Sequence, residues 1–151
     1  MTGAATFLWY RHGAVEAARF YASIFPGAEI VNESASSATF RLSGQEYIAF
    51  NGGETFAFTP AISIFVKCDT QAEIDRYWEA LSQGGETGRC GWLTDRWGLS
   101  WQIVPVRLGE LLSSEDAAAA GRTMAAMLSM ERLDIAALQA AHDGGATGSG
   151  E

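Results

Sequence analysis

A chain of 151 residues has room for one domain, or for two small modules sharing one core, and at this size it buries roughly two thirds of its unfolded surface. Hydrophobic residues make up 48% and charged ones 19%, which excludes a disordered polymer and calls for a packed core. The net charge of -8, from 18 acidic against 10 basic residues with Lys67 the single lysine, leaves no basic stripe to neutralise phosphates and argues against a nucleic-acid partner.

Thr6 to Tyr10 (TFLWY) is rich in strand-forming residues. After it Ala17, Phe20, Tyr21 and Ile24 recur at helical spacing until Pro26-Gly27 stops the pattern. Three short strand-like runs follow, Ala28 to Glu33, Ala38 to Leu42 and Glu46 to Asn51, the last two divided by Ser43-Gly44 as a hairpin turn would be. The unit reads as βαβββ.

The pattern then begins again. Ala61 to Val66 is a strand-like run, and a helix follows with Ile74, Tyr77, Trp78 and Leu81 on one face and Thr70 with Glu73 as a capping box. Gly84-Gly85 ends that helix, and Glu86 to Cys90, Trp92 to Thr94 and Leu99 to Val104 fit three more strands. Phe20-Tyr21 answers Tyr77-Trp78, and Tyr47 to Phe50 answers Trp101 to Val104, so the pattern is an internal duplication. Two copies are too few for a solenoid; a pair of modules leaving a cleft between them is expected.

From Leu108 the chain turns helical, with an alanine-rich run marked at its start by Ser113 or Ser114 and sharing Ala117, Met124, Met127 and Leu128 on one face. That face could meet a partner or close over a sheet. Asp134 is placed to cap a last helix through Ile135 and Leu138. The expected organisation is paired modules over 1–107 (about 6–53 and 58–105), a C-terminal helical segment over 108–142, and a disordered glycine-rich tail over 143–151.

Cys68 and Cys90 allow at most one bridge, and with no secretory pattern at the N-terminus free thiols in a reducing cytoplasm are expected. The longest apolar stretch, Ala61 to Val66, is far short of the about 20 residues a bilayer needs, so no membrane partner is expected. The Gly-Gly-Glu segments at 52–54 and 84–86 lack a following P-loop lysine and read as turns.

Five segments carry a family resemblance: FLWY with RHGAVEAARFYASIFPGAEI within residues 7–30, GQEYIAFNGG at 44–53, FTPAISIFVKC at 58–68, CGWLTDRWGLSWQIVP at 90–105, and AAMLSMERLDIAALQAA at 125–141. Over roughly residues 6–141 the chain resembles the PhnB-like branch of the vicinal oxygen chelate (glyoxalase/bleomycin-resistance) superfamily. The resemblance implies an α+β fold, with two βαβββ modules forming curved mixed sheets around a cleft plus C-terminal helices. It also implies a homodimer. Relatives are often labelled 3-demethylubiquinone-9 3-methyltransferase, yet the glycine-rich strand-to-helix turn of a conventional S-adenosylmethionine enzyme is absent.

In metal-using members of that superfamily, His, Glu or Gln ligands sit at equivalent positions on the first and last strands of the two modules. The corresponding places here fall on Thr6, on the Ala61 to Ser63 span and on Gln102. Threonine is a poor ligand for a divalent transition metal, and one glutamine binds weakly. No cofactor is therefore expected, a divalent metal remaining conceivable only through substitute ligands. His12, past the first strand, is either a pocket-edge acid, base or ligand or a surface histidine, the plainer reading; His142 near the tail reads as inert.

Thr6, Asn51, Ser63 and Gln102 are candidates to line a cavity, either orienting a ligand or bonding each other or a buried water. Trp92, Trp97 and Trp101, with Tyr10 and Phe50, could form an apolar wall, although most such rings end in a core. Cys90 has no neighbouring histidine or basic cluster to mark it out as a nucleophile, and a buried inert thiol is the plainer reading for it and for Cys68. The ligand-binding candidates are thus Thr6, Tyr10, Asn51, Ser63, Trp92 and Gln102, and the expected function is binding a small molecule without a metal. Two alternatives are a metal-dependent glyoxalase or dioxygenase type of enzyme with a substituted site, and the labelled methyltransferase.

Overall fold

The computed structural model describes residues 2–144, so from residue 145 the tail expected to be disordered lies outside the described residues. The chain divides between Pro60 and Ala61 into two compact units.

The first unit runs β1 (Thr6–Tyr10), α1 (Ala14–Ile24), β2 (Glu29–Glu33), β3 (Ser37–Leu42) and β4 (Gln45–Asn51). Its sheet has the order β1-β4-β3-β2, with β1 parallel to β4 and the other pairs antiparallel. Ser43 and Gly44 both take left-handed backbone, at φ 50° and 81°. A two-residue hairpin needs that geometry to match the twist of β3 and β4. Ala14, Ala17, Ala18 and Tyr21 form the buried stripe of α1. They pack on the sheet face made by Leu8, Tyr10, Ala38, Phe40, Leu42, Tyr47 and Ala49, all of them buried. Small residues on α1 let the helix lie close, and Tyr21, Phe40 and Tyr47 fill the space with ring pairs 5.2–5.8 Å apart.

β2 is an edge strand. Its pairing with β3 slips between Ile30 and Asn32, leaving Val31 42% exposed, and its ends carry Glu33, paired with Arg19, and Glu29, paired with Arg41.

The second unit repeats the plan with β5 (Ser63–Cys68), α2 (Gln71–Ser82), β6 (Glu86–Thr87), β7 (Trp92–Thr94) and β8 (Ser100–Pro105) in the order β5-β8-β7-β6. Ile74, Tyr77, Trp78 and Leu81 are the buried face of α2, as their spacing requires. Thr70 caps the helix by accepting from the Glu73 backbone N–H at 3.2 Å; the Glu73 carboxylate accepts from the Thr70 hydroxyl rather than from its backbone, so half of the capping box forms.

Two strand boundaries differ from expectation. β5 begins at Ser63, not Ala61, because a turn occupies residues 60–61 and the first partner on β8 is Ser100. β6 stops at Thr87 rather than Cys90, because Cys90 (φ 59°) and Gly91 (φ 81°) are left-handed and the Gly88 N–H bonds back to the Trp92 carbonyl.

α3 (Val106–Leu112) starts directly after β8, then α4 (Ala117–Leu128) and α5 (Ile135–His142) follow. Ser113 closes α3, and Asp116 rather than either serine caps α4, accepting from the Ala119 N–H at 3.1 Å. Asp134 caps α5 as its position suggests. The inward face of α4 is Ala119 and Thr123 with Ala126 and Met127; Ala117, Met124 and Leu128, expected on the same face as Met127, are exposed. Val104, Leu108, Leu111, Leu133 and Leu138 form one buried cluster, so these helices cover the end of β8. Gln71 fastens them, donating to the Leu133 carbonyl and accepting from the Ile135 N–H. Among the described residues no helix is long and apolar enough to cross a membrane.

Candidate functional site

Each sheet has one face under its helix and one turned away, and strand alternation decides which side chains belong to which. On β1 the buried Leu8 and Tyr10 define the α1 side. Thr6 shares their parity and lies on that side, at the exposed start of the strand, while Phe7 and Trp9 take the open face. Tyr10 is committed to the core, its hydroxyl 2.9 Å from that of Tyr21. Asn51, at the end of β4, accepts from the Ala14 N–H at 2.8 Å. Gly13, the residue before α1, has no side chain to cap the helix, so Asn51 supplies from the sheet the oxygen a capping residue would give.

The open face of the first sheet is aromatic. Phe7 and Trp9 flank Phe50 at centroid distances of 5.6 and 5.5 Å, Phe56 meets Trp9 at 5.0 Å, and Ile48 lies opposite Phe7. The indole N–H of Trp9 is spent on the Gly53 carbonyl at 3.0 Å. A Cβ at Gly52 would stand 2.0 Å from the Trp9 ring, so the absence of a side chain there lets the indole lie flat on the backbone.

The second sheet brings three of the expected residues together. Val66, Cys68, Trp101 and Ile103 are buried on the α2 side, which turns Ser63, Phe65 and Lys67 of β5, Gln102 of β8, and Trp92 and Thr94 of β7 to the open face. Trp92 lies directly opposite Gln102 in the β7–β8 ladder, and the Gln102 amide donates to the Ser63 hydroxyl at 2.9 Å. Ser63, Trp92 and Gln102 therefore form one constellation. Thr6, Tyr10 and Asn51 belong to the helix side of the other sheet. Trp101 is core, with its indole N–H on Asp95; Trp97 stacks with the Arg96 guanidinium.

The open-face positions of the two first strands are thus Phe7, Trp9, Ser63 and Phe65, and those of the two last strands include Ile48, Phe50 and Gln102. Their donor chemistry is one hydroxyl and one amide, bonded to each other, and it does not fit a divalent transition metal, which prefers imidazole, thiolate or carboxylate. Among the described residues no three His, Cys, Asp or Glu side chains group as metal ligands would. His12 is exposed in the loop after β1, and His142 lies against Asp143 at 3.3 Å.

Cys68 and Cys90 are free thiols, the first buried and the second partly exposed. Burial pushes the Cys68 thiol up to about 12, with Glu73 and Asp69 adding to the shift. It is a packed, protonated group and no nucleophile. A thiol reagent at pH 8 is expected to titrate one cysteine in the native protein and two in denaturant. Because the unfolded thiol ionises near its ordinary value while the folded one holds its proton, this group's contribution to stability is complete below about pH 8.5 and declines as the pH rises toward 12.

Asp95 is an organising residue that sequence reading passed over. Its carboxylate is buried and accepts from the Trp97 and Leu99 backbone N–H groups at 2.9 and 3.1 Å and from the Trp101 indole at 2.9 Å. It shapes the β7–β8 turn that sets Trp92 opposite Gln102. The signal in the sequence is the turn word Asp95-Arg96-Trp97-Gly98, an aspartate able to bond its own backbone two residues on.

Paired βαβββ units of this kind recur in known structures. A glyoxalase/bleomycin resistance protein from Albidiferax ferrireducens superposes at a TM-score of 0.50, with 14% identity over 66% of this chain and 93% of its own, and a protein from Pseudomonas aeruginosa at 0.57, with 19% identity over 70% and 98%. At these identities the likeness is one of fold: a glyoxalase-like α+β protein. The model of the 3-demethylubiquinone-9 3-methyltransferase family matches residues 2–104. A PhnB protein from Bacillus cereus carrying the same methyltransferase description is 33% identical over 70% of this chain and 100% of its own, at a TM-score of 0.64. The chain belongs to that family, the PhnB-like branch of the vicinal oxygen chelate superfamily. The match ends at 104, short of the 6–141 span of the sequence resemblance. A search of curated proteins gives no match.

Proposed function

We propose that the chain binds a small organic molecule, apolar or of mixed polarity, against the open face of a sheet, and that no divalent metal takes part. One observation carries the reading. Of the places where the resemblance puts metal ligands, Ser63 and Gln102 bond each other and Thr6 lies on the helix side of the first sheet, whose other face presents Phe7, Trp9, Ile48 and Phe50. Such a surface gains from covering apolar area, about 25 cal/mol per Å², and needs neither acid nor nucleophile to do so.

The test is the metal content of purified protein together with ligand titration. Zinc, manganese, iron and nickel are expected well below one equivalent, and added metal is expected to leave binding of an apolar probe unchanged. Stoichiometric metal lost on Gln102→Ala would overturn the proposal and favour a metal-dependent enzyme of glyoxalase or dioxygenase type with a substituted site. The methyltransferase description predicts binding of S-adenosylmethionine, and calorimetry is expected to give no heat with it. Pairing with a second copy, implied by the family, belongs to the same reading; light scattering should report twice the mass of one chain.

A further inference from the structure

Lys67 is the only lysine, and among the lysine and arginine side chains of the described residues it is the one with no partner. The nine arginines are all engaged. Arg11, Arg19, Arg41, Arg107 and Arg132 pair with carboxylates. Arg89 and Arg122 bond backbone carbonyls, and Arg76 and Arg96 lie over the rings of Tyr77 and Trp97.

The position of this free ammonium is specific. β5 runs beside β8 with Phe65 opposite Gln102 and Lys67 opposite Val104, which the C-terminal helices cover, so Ser63, Phe65 and Lys67 form a row next to Gln102 whose far end, the exposed Lys67, borders those helices. Phe65 is 50% exposed, an apolar surface for a ligand's body, and Trp92 lies on the far side of Gln102. Asp69, two residues on from Lys67, is past the end of the strand and makes no ion pair with it. A chain of net charge -8 repels anions in general. An uncompensated cation in a row with an exposed aromatic ring and a fixed amide is complementary to one kind of molecule.

We infer that the ligand is an organic anion, a carboxylate, sulfonate or phosphonate on an apolar or aromatic body, with its head at Lys67 and its body on Phe65. This rests on the binding reading above and deepens it. The energetics divide accordingly: contact with Phe65 is indifferent to charge, whereas the contact with Lys67 is lost when either partner is neutral and is weakened by salt.

Two fluorescent probes separate these terms, 8-anilinonaphthalene-1-sulfonate and the neutral N-phenyl-1-naphthylamine, which share a body and differ in the sulfonate. In the wild-type chain the anionic probe is expected to bind more tightly. Lys67→Met should weaken it by about tenfold and leave the neutral probe within about twofold, Lys67→Arg should retain it, and Lys67→Glu should weaken it further. Lys67 is exposed, so thermal melts should be unchanged and confirm that each variant folds. Binding of both probes with no selective loss in Lys67→Met would keep the apolar site and overturn the anion. Binding of neither probe would overturn the site and the anion together.

Discussion

Asp95→Ala is expected to lower the unfolding free energy by about 3–5 kcal/mol, a large part of the stability of a domain this size. The carboxylate has 2% exposure and accepts from two backbone N–H groups and one indole, and the residues carrying the last two of these, Leu99 and Trp101, are themselves buried. Truncation removes the acceptor and leaves its donors without water to replace it, at about 1–3 kcal/mol for each buried orphan. Asp95→Asn should fall between, because the amide keeps one oxygen but turns an NH2 toward another donor. Urea unfolding measures the loss. A cycle combining Asp95→Ala with Trp101→Phe should show strong coupling, since the second change removes one of the donors that the first orphans. Additive effects would mean that the indole contact carries no energy of its own.

Gly91→Ala is the second large effect, expected at about 2–4 kcal/mol. Gly91 has φ 81°, and a Cβ there would lie 2.7 Å from the Ile103 carbonyl and 3.1 Å from the Leu133 side chain. The same residue accepts from the Ile103 N–H and donates to the Glu131 carbonyl, both at 2.8 Å. With Cys90 it joins the sheet to the segment before α5 through backbone hydrogen bonds, and a methyl group must push sheet or segment away. The expected signature is local as well as global. Hydrogen exchange at the Cys90 and Gly91 amides, which bond the Met130 and Glu131 carbonyls, should accelerate more than exchange in α2. Uniform acceleration would show that the docked segment and the sheet open together.

Much of the fold was legible because it rests on local rules. Thr6 to Tyr10, the stripe of α2 and the Asp134 cap fall where composition and spacing place them, and the repeat announces two similar sheets. The departures have local causes that only geometry reveals. Nothing in Glu86 to Cys90 warns that Cys90 will turn left-handed, and serine and aspartate are equally good N-caps on paper, although Ser113 closes α3 and Asp116 opens α4. The site was half legible. Ser63, Trp92 and Gln102 share a face as alternation suggests. On β1 the parity is settled by which residues α1 buries, so the polar Thr6 lies on the helix side while Phe7 and Trp9 take the open face. Asn51 was a polar residue at a strand end with two possible uses, and the bare backbone before α1 claims it.

The slipped pairing at Val31 has a consequence for how these molecules treat one another. An edge strand offers a row of unpaired backbone groups to any neighbour, and a regular row is a template for growth into fibres. On β2 the row is broken by the bulge, and Glu29 and Glu33 stand at its two ends, held by Arg41 and Arg19. An incoming copy would have to match the bulge and set its own carboxylates against these. On this side the sheet finishes at four strands, and crowding alone does not extend it.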